Sequence, residues 1–383
     1  MKKICIFSNH FYPVKSSCTT LIKDLIKILL KENYSVNLIT ISGYNSKFRV
    51  IKRKKFTYYG YKSPFFKSDK KYLRAFGEIF SISYLRFKLN NYEIKNADYY
   101  FVYSPTIFWS ILTPILDKKK VSIILRDIYP KWLIDNNLIK KKSISYFVLK
   151  YFEMKLYKNS NRILIQTPKD FDYFKNFNKN YYIDVLYNWI DTNNKKLISY
   201  NRKNKKYIRF IYTGIIGDAQ NYKVLFDLIR FCNLKDYKAL FIFIGSGSKF
   251  NLLKNLIDLN KFKNVKFINE INLIELDKYI QKSDVCLCTL NEEFKSDNFP
   301  GKILRYMLYN KPILTYAPGN NFLKNLMQSN KIGLFADDKS ELNKHIYKIF
   351  NDKLFFQIYG KQSYEVLKKN FSIERSLENL LSC

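Results

Sequence analysis

Three consecutive stretches near the start of the chain decide the fold: KICIFS (3–8), TLIKDLIKILLKEN (20–33) and SVNLITIS (35–42). The first and third are short apolar runs typical of buried strands, and the middle one has apolar residues at helical spacing. A buried strand, a crossover helix and a second buried strand form the βαβ unit of a parallel sheet. The opening residues therefore predict an α/β fold.

The same alternation continues along the chain and restarts in its second half. Further strands are predicted at 99–104, 121–127 and 162–167, and again at 208–214, 239–247, 265–270, 285–290 and 312–317. Helices are predicted at 221–232, 249–260, 273–282 and 301–310. Because 383 residues exceed one ordinary core, we predict two consecutive doubly wound, Rossmann-like α/β domains.

The join between the domains is predicted in DTNNKKLISYNRKNKK (191–206), which is rich in Asn and Lys and lacks apolar periodicity. The expected ranges are 1–190 for the N-terminal domain and 207–360 for the C-terminal domain. Residues 361–383 are expected to form a C-terminal helix that crosses back to the first domain.

The formal net charge of +35 raises the question of a nucleic-acid partner. Of the 67 basic residues only 11 are Arg, the residue whose planar fork is favoured for reading phosphates and bases. The chain is also rich in Ile, Asn, Tyr and Phe, the composition that A/T-rich codons produce. We therefore expect no nucleic-acid partner.

Metal and membrane signals are weak. The six cysteines show no metal-ligand or disulfide spacing, and the chain has two histidines. Cys286 and Cys288 lie in the apolar run DVCLCTL and are predicted to be core residues of a strand.

The N-terminus does not read as a signal peptide, and the longest apolar stretch (101–116) is shorter than the roughly 20 residues of a spanning helix. We expect a cytoplasmic protein, with binding at a membrane face left open.

Ligands of open parallel sheets bind outside the carboxyl ends of the strands, and three segment ends stand out there. YTGIIGDAQN (212–221) and IGSGSK (244–249) each place two glycines at or just beyond the carboxyl end of a predicted strand. Glycines let backbone N–H groups approach an anion closely, although a plain strand-to-helix turn also favours glycine. Neither stretch has the spacing of the nucleotide-binding P-loop or of the dinucleotide fingerprint.

The third segment end is FPGKILRY (299–306), with Lys302 at the start of a predicted helix. The positive end of the helix dipole disfavours lysine there, so its placement suggests an anionic partner such as a ligand phosphate. A solvated surface lysine is the alternative in so lysine-rich a chain.

Most of the chain resembles the retaining GT-B glycosyltransferases of family four. The resemblance is carried by SNHFYPVKSSCTTLIKDLIKILLKENYSVNLIT, YSPTIFWSILTPIL, VSIILRDIYPKWLI, YNWID, IYTGIIGDAQNYKVL, NVKFINEINLIELDKYIQKSDVCLCTL, FPGKILRYMLYNKPIL and KIGLFADDKSEL. The segments RDIYP and YTGIIGDAQ resemble those of the subgroup that builds bacterial surface polysaccharides, including lipopolysaccharide and capsule. The implied fold is two Rossmann-like domains facing a cleft.

The resemblance implies a nucleotide-sugar donor bound by the second domain and an acceptor bound by the first. Gly214, Gly217 and Lys302 would lie near the donor diphosphate, and Gly245 near the nucleotide base. Helix ends and lysine, rather than a metal or another cofactor, would stabilise the leaving diphosphate, and no Asp-x-Asp motif is present. The implied donor-binding set also includes Gln220, Lys249, Gly301 and Arg305.

Catalytic candidates follow from the same resemblance. Asp127 in RDIYP follows a predicted strand, where it would orient the acceptor hydroxyl or accept its proton; alternatively it pairs with Arg126 or caps the next segment. His10 in SNHF is a second candidate for contacting substrate, although a lone loop histidine is often structural. Asp297 is a third, since its carboxylate can accept hydrogen bonds from sugar hydroxyls.

One position departs from the family pattern. Relatives carry two glutamates separated by seven residues in this stretch, and the corresponding places hold Asp297 and Arg305. A guanidinium group has only hydrogen-bond donors, so it cannot accept hydrogen bonds from ribose hydroxyls as a carboxylate does. Either Arg305 reaches a ligand phosphate, or donor affinity is low, or catalysis has been lost. We take the phosphate contact as the working hypothesis.

Residues 47–74 hold eleven Lys or Arg against one acid, Asp69, interleaved with Phe and Tyr. Basic residues with interfacial aromatics are what an anionic bilayer surface attracts, although a solvated loop has the same composition. We predict that the first domain docks at the inner membrane to reach a polyprenyl-diphosphate-linked acceptor.

The predicted function is therefore a metal-independent retaining glycosyltransferase, of hexosyl or N-acetylhexosaminyl type, in cell-surface polysaccharide biosynthesis. A soluble glycan acceptor is an alternative within the enzymes. A catalytically inactive GT-B partner subunit is the alternative from another class, and Arg305 is the residue that allows it.

Overall fold

The computed structural model describes residues 1–14, 16–42, 47–66, 68, 70–89, 92–175, 177, 181–193, 206–293 and 299–382, apart from the side chains of Lys71, Tyr92 and Glu93. The chain divides into two compact units. Unit 1 comprises Met1–Trp189 and Ile373–Cys383, and unit 2 comprises Ile190–Ser372. Most of the predicted linker, residues 194–205, lies outside the described residues.

Unit 1 begins with the predicted βαβ unit. Its strands are β1 (Lys3–Ser8), β2 (Ser35–Thr40), β3 (Arg49–Arg53), β4 (Phe56–Gly60), β5 (Tyr99–Tyr103), β6 (Val121–Ile124), β7 (Arg162–Ile165) and β8 (Tyr182–Val185). Its helices are α1 (Ser17–Lys31), α2 (Lys71–Lys88), α3 (Tyr92–Lys95), α4 (Lys131–Asp135), α5 (Ile144–Lys158) and α6 (Phe171–Phe174), with 3-10 helices at Ile107–Ile111, Thr113–Ile115, Lys118–Lys120 and Pro168–Asp170.

The strand order in unit 1 is β3-β4-β2-β1-β5-β6-β7-β8. Strand β3 pairs antiparallel with β4, and the other pairings are parallel. The chain moves outward one way from β1 through β2 and the other way from β5 through β6. The strand order therefore reverses between β1 and β5, and the carboxyl ends there are the expected ligand position.

Unit 2 repeats the architecture. Its strands are β9 (Ile208–Thr213), β10 (Ala239–Ile244), β11 (Val265–Ile268), β12 (Val285–Thr289), β13 (Ile313–Tyr316) and β14 (Gly333–Ala336). Its helices are α7 (Tyr222–Leu234), α8 (Phe250–Leu259), α9 (Leu273–Lys282), α10 (Lys302–Leu308), α11 (Asn321–Ser329), α12 (Lys339–Asn351), α13 (Phe355–Ile358) and α14 (Ser363–Phe371). The sheet has the order β11-β10-β9-β12-β13-β14 with parallel pairings, and reverses between β9 and β12.

The predicted C-terminal segment 361–383 is shared between the two units. Helix α14 belongs to unit 2, whereas the last helix, α15 (Ile373–Leu381), belongs to unit 1. Three apolar residues of α15 enter the core cluster that contains α1: Ile373, Leu377 and Leu380. Buried Arg162 of β7 donates to the Asn379 carbonyl at 2.6 Å, which ties α15 to the sheet.

The predicted α/β class and doubly wound sheets are confirmed. Cys286 and Cys288 are fully buried on β12, where free cysteine acts as a small apolar residue. The pairing of β3 with β4 was not predicted, because charges outnumber apolar residues in β3. Among the helices of the described ranges, none combines the length and the apolar character that crossing a bilayer requires.

Candidate functional site

The first part of the candidate site is the pair of glycine turns at the carboxyl ends of β9 and β10. Gly214 follows β9 with φ of +95°, and Gly245 follows β10 with φ of +154°, backbone conformations that L side chains rarely adopt. A Cβ added to Gly245 would lie 2.0 Å from the carbonyl oxygen of Gly214. The two turns therefore pack backbone against backbone, next to the point where the strand order reverses.

The N–H groups of these glycines already have protein partners. Gly214 and Gly245 each donate to a strand carbonyl oxygen, at 2.8 and 3.0 Å. The N–H of Gly217 donates to the side-chain oxygen of Gln220 at 2.9 Å. The glycines thus allow the two turns to pack closely. Their N–H groups are not free to bind an anion, whereas the sequence suggested that they would be.

Lys302 is the cationic group of the site. It begins α10, after Gly301 at the N-cap. Its Nζ lies 3.6 Å from the centroid of the Tyr212 ring and 3.9 Å from where a Cβ on Gly214 would be. Nζ is buried without a hydrogen-bond partner, and this burial lowers the pKa of the ammonium to about 8. A buried cation held by a ring face alone is an incomplete arrangement that an anion would complete.

Tyr306, one helical turn after Lys302, holds helix α10 in place. The hydroxyl of fully buried Tyr306 accepts from the Thr213 N–H at 3.0 Å and donates to the Leu287 carbonyl at 3.4 Å. Residues four apart lie on the same helix face. The contacts of Tyr306 with β9 and β12 therefore fix Lys302 over the end of β9.

The remaining predicted residues of the loops after β9 and β10 lie together. Lys249 pairs with Asp218 at 3.2 Å, and Asp218 is exposed, so this ion pair contributes little stability. Asn291, directly beyond β12, donates its N–H to the Ala219 carbonyl at 2.9 Å. The loops after β9, β10 and β12 are thereby joined into one rim at the carboxyl edge of the unit 2 sheet.

Asp127 lies beyond the carboxyl end of β6 in unit 1. Within the described residues its carboxylate has no hydrogen-bond partner. Arg126 does not pair with it by hydrogen bonding and instead donates from Nη1 to the Leu186 carbonyl at 2.6 Å. Although the Asp127 side chain is exposed, surrounding protein atoms desolvate the carboxyl and raise its pKa, and the charge of Asp170 raises it further. Asp127 is thus an accessible carboxylate with unused hydrogen-bonding capacity.

His10 follows β1 at the same edge of the sheet. Its ring packs against Phe66 with centroids 5.6 Å apart, and its Nδ1 is buried without a hydrogen-bond partner. Burial, and secondarily the positive charge of Arg74, lower the pKa of the imidazole. One strand, β5, separates β1 from β6, so His10 and Asp127 share the carboxyl edge without touching.

Unit 1 also contains a cavity of about 800 Å³ between α4, α5 and the α6 region. Its wall includes Tyr146, Lys150, Tyr173 and Phe177. Neither of the predicted catalytic residues of unit 1 lines it.

A family model described as "Glycosyl transferases group 1" matches residues 193–370, nearly the whole of unit 2. This segment is therefore similar to the glycosyltransferases of that group. A curated relative named "Probable glycosyltransferase WbjE", from Pseudomonas aeruginosa, is 23% identical over 68% of this chain and 67% of its own length. The family match covers every predicted donor-binding residue, and the unit 1 candidates lie outside it.

Solved structures show that the chain has the GT-B fold. WaaG, described as a glycosyltransferase involved in lipopolysaccharide biosynthesis, matches 99% of the chain and 100% of its own, with a TM-score of 0.66 and 12% identity. A structure described as trehalose-6-phosphate from E. coli bound with UDP-2-fluoro glucose matches 100% of this chain and 98% of its own, with a TM-score of 0.72 and 12% identity. The predicted fold family is confirmed.

Two residues of the predicted site lie at or beside an undescribed segment. Asp297 falls within residues 294–298, outside the described part of the chain. Gly301 is exposed, and a Cβ added there would meet no atom within 4 Å. Its position leaves open space beside the start of α10.

Arg305 has a protein partner in place of the ligand phosphate that we hypothesised. Its Nε and Nη2 donate to the two carboxylate oxygens of Asp277 at 2.7 and 2.9 Å. Both side chains are 21% exposed, and Asp277 lies on α9. This bidentate pair joins α9 to α10. The guanidinium geometry is therefore explained without a ligand.

Two aromatic residues of the site were missed by sequence reasoning. Tyr212 and Tyr306 position the Lys302 ammonium, but each reads as an ordinary core aromatic in a strand or helix. The spacing of four between Lys302 and Tyr306 was a usable signal, because it places both on one helix face. No local signal pointed to Tyr212, since its contact depends on how α10 packs against β9.

Proposed function

We propose that this glycosyltransferase moves a hexosyl or N-acetylhexosaminyl group from a nucleotide sugar to a glycan or polyprenyl-diphosphate-linked acceptor, with retention of configuration. The proposed setting is cell-surface polysaccharide assembly in a bacterial cytoplasm, at the inner face of the membrane. WbjE is named a probable glycosyltransferase, and WaaG is described as involved in lipopolysaccharide biosynthesis. The name of WbjE supports the proposed activity, and the description of WaaG supports the class of pathway.

The observation that carries the proposal is the unpartnered, buried Nζ of Lys302 beside the Gly214 turn. A diphosphate placed there would give the ammonium the anionic partner that it lacks. In transfer, the bond between the anomeric carbon and the diphosphate breaks, and negative charge grows on the leaving oxygen. A cation at fixed position in a site of low polarity stabilises that charge more than water does.

Lys302 would supply this stabilisation without a metal or another cofactor. The same cation would interact with the diphosphate before reaction and more strongly as the bond breaks. Only the second, differential part accelerates the reaction. We therefore propose metal-independent transfer, which a rate unaffected by chelator would support.

On the acceptor side, we propose that Asp127 orients the attacking hydroxyl or accepts its proton. Its carboxylate is exposed and unpartnered within the described residues, and desolvation raises its pKa. A carboxylate with a raised pKa is a better proton acceptor than an ordinary one. His10, with a neutral imidazole, is the second candidate for contacting the acceptor.

A panel of nucleoside diphosphates tests the donor site by thermal shift, because a ligand that binds the folded state alone raises its melting temperature. We expect at least one base to raise the Tm of the wild-type chain at millimolar concentration. The shift should shrink in Lys302→Met and persist in Lys263→Met, which removes an exposed lysine before β11 at the opposite edge of the sheet. A panel with no effect on the wild-type Tm would overturn the proposal.

The second candidate function is a catalytically inactive partner subunit. It is favoured by one observation, the engagement of Arg305 with Asp277 at a place where relatives carry a glutamate. Incubation with the best-binding nucleotide sugar separates the two functions. Release of nucleoside diphosphate, in the presence of acceptor or by slow hydrolysis, supports the enzyme, whereas binding without release supports the inactive subunit.

A further inference from the structure

Helix α2 of unit 1 turns an aromatic stripe outward. Tyr72, Phe76, Phe80 and Phe87 are all exposed, with exposed fractions from 48% to 77%. Spacings of four, four and seven place these four rings on one side of the helix. An ordinary surface helix would carry polar residues there, so the stripe needs a separate explanation.

Helix α5 shows the same feature. Ile144, Phe147, Val148 and Tyr151 are exposed, and Ile144 reaches 83%. Their spacings of three, one and three again define one side of the helix. We call these four residues and the four of α2 the apolar outer face.

The two helices lie on the same side of the unit 1 sheet. The 3-10 helix Ile107–Ile111 packs between them: Arg86 of α2 donates from Nη1 to the Ile111 carbonyl at 2.8 Å, and Phe108 packs edge-on against Phe152 of α5, with centroids 5.1 Å apart. Both helices contribute inward residues to one core cluster. Their outward stripes therefore belong to one surface of unit 1.

The acidic and basic side chains of these helices lie on different sides: the carboxylates point inward and the basic groups are exposed. The carboxylates of Glu78 on α2 and Glu153 on α5 are turned inward, where they accept from Thr106 and from Lys150 and Tyr173. The exposed charged residues of α2 are Arg74, Arg86 and Lys88, and those at or before α5 are Lys140, Lys141, Lys142 and Lys158. Among described side chains, the exposed residues of both helices are apolar or cationic apart from Ser83 and Ser145, and none is a carboxylate.

The amount of exposed apolar surface is also unusual. Eight large side chains, each about 150–200 Å² and roughly half exposed, give on the order of 800 Å². The largest contiguous apolar patch on a typical soluble monomer is about 300–600 Å², so each stripe alone is of that size and the two together exceed it. Apolar side chains ringed by cations, with carboxylates withdrawn, match the interface of a bilayer that contains anionic lipid.

We propose that the apolar outer face of α2 and α5 docks unit 1 on an anionic lipid bilayer. This moves the docking surface away from most of the predicted segment 47–74. Tyr58, Tyr59 and Tyr61 of that segment are buried, because β4 lies between β2 and β3 in the sheet. The proposal deepens the acceptor side of the proposed function, but it depends on the surface of unit 1 and not on the donor site.

Vesicle sedimentation of the full chain tests the docking face. We expect binding to vesicles of phosphatidylcholine with 30% phosphatidylglycerol, with little binding to pure phosphatidylcholine and weaker binding at high salt, where screening reduces charge attraction. The triple variant Phe76→Ser, Phe80→Ser and Phe87→Ser should lower the partition coefficient by at least about tenfold, since three exposed rings no longer enter the interface.

The matched control is Leu234→Ser with Leu259→Ser, two leucines of unit 2 that are 75% and 77% exposed. It should bind vesicles as the wild type does. Far-UV circular dichroism and Tm check that both variants remain folded. A triple variant that sediments like the wild type, or equal binding to the two vesicle types, would overturn the proposal.

A lipid-free dimer that the triple variant converts to a monomer would also overturn it, because the face would then join two copies of the chain. Release of nucleoside diphosphate without lipid gives a separate readout. We expect the triple variant to retain the wild-type rate of that reaction. If the triple variant loses vesicle binding and keeps the wild-type release rate, the result supports docking and leaves the proposed function untouched. If the wild-type chain releases no nucleoside diphosphate, the result counts against the proposed function and leaves docking untouched.

Discussion

The variant Lys302→Met should make the ligand-free protein more stable, because the wild-type site carries an uncompensated cation. Burial lowers the pKa of Lys302 from 10.5 to about 8. At about 1.4 kcal/mol per pKa unit, protonated Lys302 is less favourable than in water by about 3.5 kcal/mol. The ring of Tyr212, 3.6 Å from Nζ, returns up to about 2 kcal/mol of cation–π attraction. The net gain expected from Lys302→Met at pH 7 is about 1–2 kcal/mol.

The sign of the pH dependence provides a second readout. Below pH 8 the ammonium is protonated in the folded and the unfolded states, so its full destabilising effect is present. Between pH 8 and 10.5 the unfolded chain binds more protons at this residue than the folded chain, and wild-type stability rises with pH. The advantage of Lys302→Met over the wild type should therefore shrink as pH rises above 8.

The assay must report on unit 2. The three tryptophans are Trp109, Trp132 and Trp189, and all lie in unit 1, so tryptophan fluorescence serves as the internal control. Hydrogen exchange of peptides from β9 and α10, together with urea unfolding followed by far-UV circular dichroism, measures unit 2. The reasoning is refuted if Lys302→Met destabilises unit 2, or if Lys263→Met has the same effect.

Three further outcomes are expected. Gly245→Ala should lower Tm by several degrees, since its Cβ would lie 2.0 Å from a backbone oxygen, whereas Gly301→Ala, with no atom within 4 Å, should leave Tm unchanged; equal effects in thermal melts would contradict this. Arg305→Gln and Asp277→Asn should each cost about 1–3 kcal/mol in urea unfolding, since each leaves half of a bidentate pair, without changing nucleoside diphosphate affinity by calorimetry; weaker binding by Arg305→Gln alone would restore the phosphate hypothesis. Asp127→Asn should lower the transfer rate at least about 100-fold with donor affinity retained, and transfer within threefold of wild type would exclude its catalytic role.

Most of the fold was predictable because most of the parallel strands carry their own local signal. Buried parallel strands such as β1 and β9 read as continuous apolar runs, and crossover helices such as α1 show helical periodicity. Strand β3 has no such run, because it is an exposed antiparallel edge strand whose stability comes from pairing with β4. Its existence depends on a partner strand and not on its own composition.

The site was predictable only in part. Strand ends and glycines pointed to the loops after β9 and β10, since the rule for parallel sheets depends on topology alone. The burial of Lys302 against Tyr212 and the pairing of Arg305 with Asp277 depend on how α10 packs against β9 and α9. Such contacts join residues distant in sequence, and a single chain without its tertiary packing gives no signal for them.

The most direct test of the donor site is calorimetric titration of the full chain with a nucleoside, its monophosphate and its diphosphate, using the base selected by thermal shift. If the Lys302 ammonium binds the diphosphate, affinity rises from nucleoside to diphosphate, and Lys302→Met abolishes most of that rise while leaving nucleoside affinity unchanged. A nucleoside that binds as tightly as its diphosphate, or a rise that survives in Lys302→Met, would contradict the account.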